Sequence, residues 1–190
     1  SKKRKEGKLK LEEKVKNELR SLSMDNVDFI IDVNTEEDQE SILEIDGKKV
    51  KFFPAGIDKI EFLISPNKGE PLKSLSKIAS GGEVSRVMLA FKQVLSLADT
   101  IPTLVFDEID SGVGGEAIVS VAEKLSSLSR DKQVLCVTHS PLLASFADSH
   151  YKIMKDTISD RTKSFIIPLN EEQKIDELAR MLGGEKNIAG

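Results

Sequence analysis

Apolar residues recur with two different spacings along this chain of 190 residues, and the change of spacing separates a front part from a back part. Near the start, residues 8–22 carry an apolar side chain every three or four positions among charged ones, which predicts an amphipathic helix. Its apolar positions are Leu11, Val15, Leu19 and Leu22. About two heptads are visible, which is too short a pattern to define a coiled coil by itself.

The rest of the front part has the alternating pattern of β-strands. Residues 27–33 and 59–65 are predicted to be strands. Residues 41–45 and 48–53 flank Asp46-Gly47, a dipeptide that favours a two-residue hairpin turn. The front part is therefore predicted to be an antiparallel β section that follows a helix.

The back part, from Leu75 onward, alternates helical spacing with short apolar runs. The predicted order is helix 84–98, strand 103–106, helix 118–128, strand 133–138, a short helix after Pro141, strands 151–155 and 163–169, and a helix over 175–182. The first two apolar runs have the composition of buried parallel strands. The fold class is thus α/β: a mostly parallel sheet flanked by helices, with an antiparallel β section and a short N-terminal helix.

Composition restricts the class of protein. Hydrophobic residues make up 39% and charged residues 32%, which is typical of a globular domain and not of a disordered chain. No apolar run approaches the roughly 20 residues that span a bilayer, and the basic N-terminus lacks the apolar core of a signal peptide. The single cysteine, Cys136, excludes an intrachain disulfide and is predicted to be a buried, unreactive thiol. These features favour the cytoplasm.

Charge is distributed unevenly along the chain. Residues 1–20 hold nine Lys or Arg against four Glu, a net charge of +5, which leaves −9 on the remainder of a chain whose net charge is −4. A basic arm on an acidic body can contact nucleic acid. A solvated helix end explains the same pattern, and composition alone favours this second interpretation.

The first stretch with phosphate chemistry is Ser80-Gly81-Gly82-Glu83, which opens the helix predicted over 84–98. Small residues let the backbone approach an anion, and a helix N-terminus offers unpaired N–H groups and a partial positive charge. The alternative is an ordinary turn that starts a helix.

The second stretch is Asp107-Glu108, directly after the apolar strand 103–106. An Asp at a strand end can hold Mg²⁺, and a neighbouring Glu can accept a proton from an attacking water. Helix capping is the alternative role for these carboxylates. Residues 109–115 that follow are rich in glycine and carboxylate, which predicts a flexible loop able to meet a partner.

His139 follows the next predicted strand and precedes Ser140-Pro141. If the two strands are neighbours, His139 lies at the same sheet edge as Asp107 and Glu108. An imidazole at that edge can hydrogen-bond a terminal phosphate, although a purely structural histidine is equally compatible with the pattern.

The order of these motifs resembles the second half of an ABC-type ATPase head. Residues 79–83 are similar to the signature motif and residues 104–108 to Walker B. Asp110 is similar to the D-loop aspartate and His139 to the switch histidine. Each motif alone is moderately specific, and four in this order and spacing are strongly specific.

Longer stretches narrow the resemblance to the RecN family of bacterial SMC-like DNA repair ATPases. Residues 75–86 are similar to the extended RecN signature, and the other similar stretches are 61–65, 106–115, 136–139 and 175–184. Transporter ATPases more often carry Gln after the glycine pair and Pro-Thr after the Asp-Glu. The resemblance extends from about residue 25 to 184.

By resemblance, ATP with Mg²⁺ binds between two heads, and each motif has a role. The implied roles are metal binding for Asp107, general base for Glu108, γ-phosphate contact for His139, contact with the nucleotide of the opposite head for Ser80, Gly81, Gly82 and Glu83, and nucleotide contact for Asp110.

The sequence has no G-x-x-x-x-G-K-[ST] motif, so it lacks a P-loop for the phosphates. In RecN-like proteins the P-loop belongs to an N-terminal lobe beyond a long coiled coil. The resemblance therefore implies that residues 1–24 end the coiled-coil arm and residues 25–190 form the C-terminal lobe. The isolated chain is expected to lack ATPase activity.

The implied function is ATP-controlled DNA tethering in double-strand break repair and recombination, in the bacterial cytoplasm at the nucleoid. The implied partners are the N-terminal Walker A lobe, a second head and DNA, with no membrane. Two alternatives remain: a head lobe of another SMC-like chromosome-organising ATPase, and a non-hydrolysing dimerisation or DNA-docking module.

Overall fold

A computed structural model describes residues 2–65, 67–77, 81–96, 98–158 and 161–183 of the chain. The chain divides into two compact units, Ser1–Asp99 (unit 1) and Thr100–Gly190 (unit 2). Helices and strands occur in both units, and parallel and antiparallel strand pairs are both present. The predicted α/β class is therefore confirmed.

Unit 1 begins with helix α1, Lys2–Ser21, which starts six residues earlier than the apolar pattern indicated. Val15, Leu19 and the following Leu22 are almost fully buried, because α1 packs against strand β1 and helix α2 of the same unit. Glu12 Oε1 also accepts a hydrogen bond of 2.6 Å from the Ile31 amide of β1. The apolar face of α1 is thus occupied within unit 1, and the domain boundary at residues 24 and 25 stays a prediction.

The antiparallel section of unit 1 is built on two strands of equal length. Strand β1, Asp28–Thr35, pairs with β4, Asp58–Ser65, over all eight residues, and β5, Lys73–Ser74, adds to the other side of β4. Alternate side chains of β1 are buried, as the period of two predicts.

The predicted hairpin forms, with shorter strands than expected. Strands β2, Glu44–Ile45, and β3, Lys48–Lys49, flank Asp46 and Gly47, whose φ angles of 51° and 77° are those of a type I′ turn. One further backbone bond, from Val50 N to Leu43 O at 3.0 Å, continues the hairpin, and beyond it Lys51 N donates to Glu36 O at 2.8 Å.

Helix α2, Gly81–Leu95, follows a 3-10 turn at Leu75–Lys77 and buries its apolar face in unit 1. Phe91 meets Phe29 and Phe62 edge-on, with both ring centroids 5.2 Å away. This aromatic cluster stabilises the packing of α2 on β1 and β4, because edge-to-face pairs contribute stability beyond that of apolar burial alone.

Unit 2 contains a strand–helix–strand segment that positions the candidate site. Strand β6, Thr103–Asp107, leads through a loop to helix α3, Glu116–Leu128, and then to strand β7, Gln133–Val137. The two strands are parallel and in register, with Asp107 opposite Val137. Helix α4, Pro141–Ser145, begins where a proline is favourable, in the first helical turn.

Only one face of the β6–β7 pair is covered, whereas the sequence predicted buried strands. Leu104 and Phe106 are buried on one face. On the other face, Val105, Leu135 and Val137 expose 67%, 47% and 50% of their surface. The physical reason is that each strand alternates its side chains, and the described residues pack against one side of the pair.

The last elements of unit 2 are a hairpin and a helix. Strand β8, Tyr151–Ile158, pairs antiparallel with β9, Arg161–Pro168, and helix α5, Glu171–Gly183, follows. Among the described residues, parallel pairing is therefore confined to β6 and β7. Gly184, which was predicted to end α5 together with Gly183, lies outside the described residues.

Candidate nucleotide site

The two adjacent carboxylates stand at the end of β6, as the sequence predicted. Asp107 is the last residue of the strand and Glu108 is the first residue beyond it, and both are exposed. Glu108 has a φ of 55°, a left-handed conformation that is uncommon for residues other than glycine. Such a conformation costs about 1–3 kcal/mol and is concentrated at functional sites.

The turn at Glu108 sends the following residues inward. Ser111 N donates to Glu108 O at 2.9 Å, which closes the turn. Ile109 and Asp110 are 0% and 3% exposed. The strained residue thus keeps its own carboxylate in solvent while the next two side chains are buried.

Asp110 connects the loop after β6 to the loop after β7. Its Oδ2 accepts hydrogen bonds from Thr138 Oγ1 at 2.5 Å, Ser140 N at 3.0 Å and His139 N at 3.2 Å. Its Oδ1 is buried and has no hydrogen-bond partner among the described residues. The predicted contact between Asp110 and a nucleotide stays a prediction.

His139 lies on the loop that Asp110 holds. Its ring is 81% exposed, and Nδ1 lies 3.3 Å from Asp110 Oδ2. Directly after it, Ser140 caps α4 by accepting a hydrogen bond of 3.3 Å from Leu143 N. The structure therefore brings His139 and Asp110 together at the ends of adjacent parallel strands.

The sequence reasoning missed Thr138 and Ser140, whose backbone and hydroxyl groups hold Asp110. Ser140 N also donates to Thr138 Oγ1 at 2.9 Å, so the three polar residues form one connected network. A Ser before Pro was a signal for a helix cap, since serine is favoured at that position. Nothing in the sequence indicated that Thr138 and Ser140 would face a carboxylate 28 and 30 positions earlier.

The glycine turn belongs to unit 1, whereas the carboxylates and His139 belong to unit 2. Ser80 lies outside the described residues. Gly81 is the exposed first residue of α2, and Gly82 is buried. Glu83 is in the first turn of α2, where a negatively charged carboxylate interacts favourably with the helix dipole. Their roles toward a nucleotide stay predictions.

Arg86, one turn after Glu83, is an 8% exposed cation in the same helix. Burial lowers the pKa of its guanidinium, and the charge of Glu83 opposes that shift. The first turns of α2 thus carry an acidic and a basic side chain that influence each other.

The carboxylates at the end of β6 fit a Mg²⁺ ion whose other ligands are phosphate oxygens and water. In the described ranges, no group of three or more His, Cys, Asp or Glu side chains could by itself enclose a metal ion. Magnesium commonly takes one or two carboxylates together with phosphate oxygens and water. The exposed Asp107 fits such a shared coordination shell.

Cys136 lies in β7 beside these acids. Burial raises the pKa of its thiol to about 12, and the charges of Asp110 and Asp107 contribute further. The thiol is therefore protonated at neutral pH, which agrees with the predicted unreactive role.

Comparison with solved structures identifies the class of fold. The chain matches an SMC structure described as "Structural biochemistry of ATP-driven dimerization and DNA stimulated activation of SMC ATPases", with a TM-score of 0.50, 15% identity and 92% coverage of both chains. The Smc head domain with a coiled coil and joint from Pyrococcus yayanosii matches with a TM-score of 0.57, at 20% identity over 90% of this chain and 28% of that one. The chain therefore has the fold of part of an SMC head domain.

Sequence comparison identifies the particular relatives. DNA repair protein RecN of Bacillus subtilis is 43% identical over 177 residues, which are 92% of this chain and 31% of that protein. The RecN of Treponema pallidum is 43% identical over 176 residues, 93% of this chain and 30% of that protein. No family model matches the chain. The resemblance to RecN is thus confirmed: this chain is RecN-like, and it spans about 30% of the length of these curated relatives.

The described part of the chain has no helix that is both long enough and apolar enough to cross a membrane.

Proposed function

We propose that this chain is the C-terminal half of a composite ATP-hydrolysing head in a RecN-like protein, which couples ATP binding and hydrolysis to DNA tethering in double-strand break repair. One observation carries the proposal. Asp107 and Glu108 end β6 while His139 follows the adjacent parallel strand β7, and Asp110 links the two loops. Ligands of α/β folds bind at this edge, beyond the carboxyl ends of the strands.

Each residue of this edge has a chemical role in the proposal. The exposed Asp107 carboxylate would hold Mg²⁺, which neutralises phosphate charge when it is bound. Glu108 would accept the proton of the attacking water, and its exposed carboxylate is compatible with access to that water. His139 would hydrogen-bond the γ-phosphate from its exposed ring.

Ser80, Gly81, Gly82 and Glu83 would contact ATP bound to the opposite head of a dimer. The support is the start of α2 at Gly81, since the amides of a first helical turn are available to an anion. Asp110 would contribute to the nucleotide site from the D-loop position.

The missing phosphate-binding loop has to come from another part of the protein. The sequence contains no P-loop, and the chain spans about 30% of its curated relatives. The exposed apolar face of β6 and β7 supports a docking partner, because water contact with Val105, Leu135 and Val137 is unfavourable. We assign that face to the N-terminal Walker A lobe.

DNA contact is assigned to α1. Arg4, Lys8 and Lys16 already pair with Asp58, Glu12 and Asp28. Other lysines of this helix are exposed, among them Lys3, Lys5, Lys10 and Lys14. These exposed charges also favour the second candidate, a non-hydrolysing DNA-docking module. A head of another SMC-like chromosome-organising ATPase would use the same nucleotide chemistry.

A protein with this role works in the bacterial cytoplasm at the nucleoid, which is where we place it.

The test is ATP hydrolysis by this chain with and without the separately produced N-terminal lobe. Hydrolysis only after the lobe is added supports a composite site, and the isolated chain is expected to be inactive. If both lobes are folded and associated yet hydrolyse no ATP, the enzyme assignment is wrong and the docking module replaces it.

A further inference from the structure

One carboxylate oxygen of Asp110 binds three consecutive residues of the loop after β7. The side chain is 1% exposed, and Oδ2 accepts hydrogen bonds from the Thr138 hydroxyl and from the amides of His139 and Ser140. A buried carboxylate that keeps its charge needs such donors, because transfer from water is otherwise costly. The arrangement therefore fixes the backbone on both sides of His139.

The imidazole ring of His139 is oriented toward the same oxygen through one nitrogen. Nδ1 lies 3.3 Å from Asp110 Oδ2. A negative charge beside one ring nitrogen favours a proton on that nitrogen, and the partner of one nitrogen determines the state of the other. Because the ring is 81% exposed, solvent screens the attraction. The contact therefore contributes little to stability, and its main effect is on which nitrogen carries the proton.

We propose that Asp110 is a positioning residue for His139: it holds the proton of the neutral imidazole on Nδ1 and leaves Nε2 as the nitrogen available to a ligand. The assignment of that ligand as the γ-phosphate rests on the proposed function. The tautomer does not, since it follows from contacts within unit 2.

The same contact links His139 to the proposed base. Asp110 is two residues after Glu108, on the turn that the left-handed Glu108 begins. Movement of the Glu108 loop would therefore displace the carboxylate that faces Nδ1. Asp110 therefore lies on the Glu108 turn and next to the His139 ring.

The test is ¹⁵N NMR of the histidine rings in the 190-residue chain at about pH 8.5, above the usual histidine pKa of about 6.5. The chain has two histidines, and a His150→Gln variant assigns their signals. We expect the neutral His139 ring to carry its proton on Nδ1 in the parent protein. A parent spectrum with the proton mainly on Nε2 overturns the proposal without any further variant.

Two variants separate positioning from general support of the loop. Asp110→Asn removes the charge at nearly unchanged shape and should move the His139 proton to Nε2. Thr138→Val removes the hydroxyl bond to the carboxylate and should leave the proton on Nδ1. An equal change in both variants, or a change in neither, contradicts the positioning role.

These outcomes are independent of ATP hydrolysis. An Asp110-dependent tautomer in a chain whose assembled head hydrolyses no ATP would retain this inference and reject the proposed function. ATP hydrolysis by the assembled head, together with a His139 tautomer that does not depend on Asp110, would support the proposed function and reject this inference.

Discussion

Lys152 of β8 donates a hydrogen bond of 2.5 Å to Glu177 of α5, which connects the last helix to the β8–β9 hairpin. Arg180 donates two further bonds to the same carboxylate, at 2.6 and 3.0 Å. The Glu177 side chain is 8% exposed. Its buried charge is therefore satisfied by two cations from different elements of unit 2.

This ion cluster predicts a pH-dependent contribution to stability. The two hydrogen bonds from Arg180, and then the one from Lys152, lower the pKa of Glu177 from 4.5 to about 2. Because the folded pKa is lower than the unfolded one, the contribution is complete above pH 4.5 and is lost as the pH falls toward 2. Glu177→Gln should cost about 1–3 kcal/mol of unfolding free energy at pH 7, and much less near pH 2.

Denaturant unfolding of the parent chain and the Glu177→Gln variant at pH 7 and near pH 2 measures the difference in unfolding free energy. Glu172→Gln is the matched control, since Glu172 is an exposed residue of the same helix. An equal cost of Glu177→Gln at both pH values would contradict the assigned role.

Glu108→Gln should stop hydrolysis in the complete protein and preserve ATP-dependent head dimerisation. The amide cannot accept the proton of water, and a general base contributes roughly 10²–10⁴-fold to the rate. Glu123→Gln, an exposed change on α3, should keep normal turnover. Turnover assays and sizing with ATP measure both properties, and normal turnover by Glu108→Gln would reject Glu108 as the base.

Glu108→Gly should be more stable than Glu108→Gln, by about 1 kcal/mol. Glycine adopts a φ of 55° without steric cost, whereas glutamine retains the strain of the parent residue. Chemical denaturation of both variants gives the comparison. Lower stability of the glycine variant would show that the left-handed turn carries no strain.

Val105→Asp and Leu135→Asp should each weaken binding of the N-terminal lobe by at least about tenfold, a free energy of about 1.4 kcal/mol. Both residues are exposed, so neither change should unfold the chain. Ile42→Asp, at a 92% exposed residue of unit 1, is the control. Calorimetric titration of one lobe with the other measures the affinities. Unchanged affinity for both variants would place the docking surface elsewhere.

Lys10→Gln combined with Lys14→Gln should weaken DNA binding by this chain and reduce its salt dependence. Loss of two phosphate contacts lowers the slope of log affinity against log salt by about 2. The control combines Lys68→Gln with Lys163→Gln, two exposed lysines outside α1. An equal loss in both pairs would indicate a general charge effect and not a site on α1.

Local patterns in the sequence were sufficient for the type of most elements. The alternation in β1 and the helical period in α3 depend on which side chains face a core, and that periodicity is visible without the fold. Asp46-Gly47 predicted a type I′ turn because that turn requires a positive φ at both central residues, and this dipeptide adopts such angles readily. The positions of Asp107, Glu108 and His139 at strand ends followed from the same local reasoning.

Only the tertiary structure decided which polar side chains are buried. Asp110 and Glu177 lie in charged stretches that suggest solvent, yet both are buried, because donors on distant segments reach them. The sequence also did not predict the left-handed conformation of Glu108 or the exposure of the Val105 face. The first depends on how the loop closes, and the second depends on what packs beside the strand. Burial, partners and backbone strain are long-range properties, which a period of two or 3.6 residues does not encode.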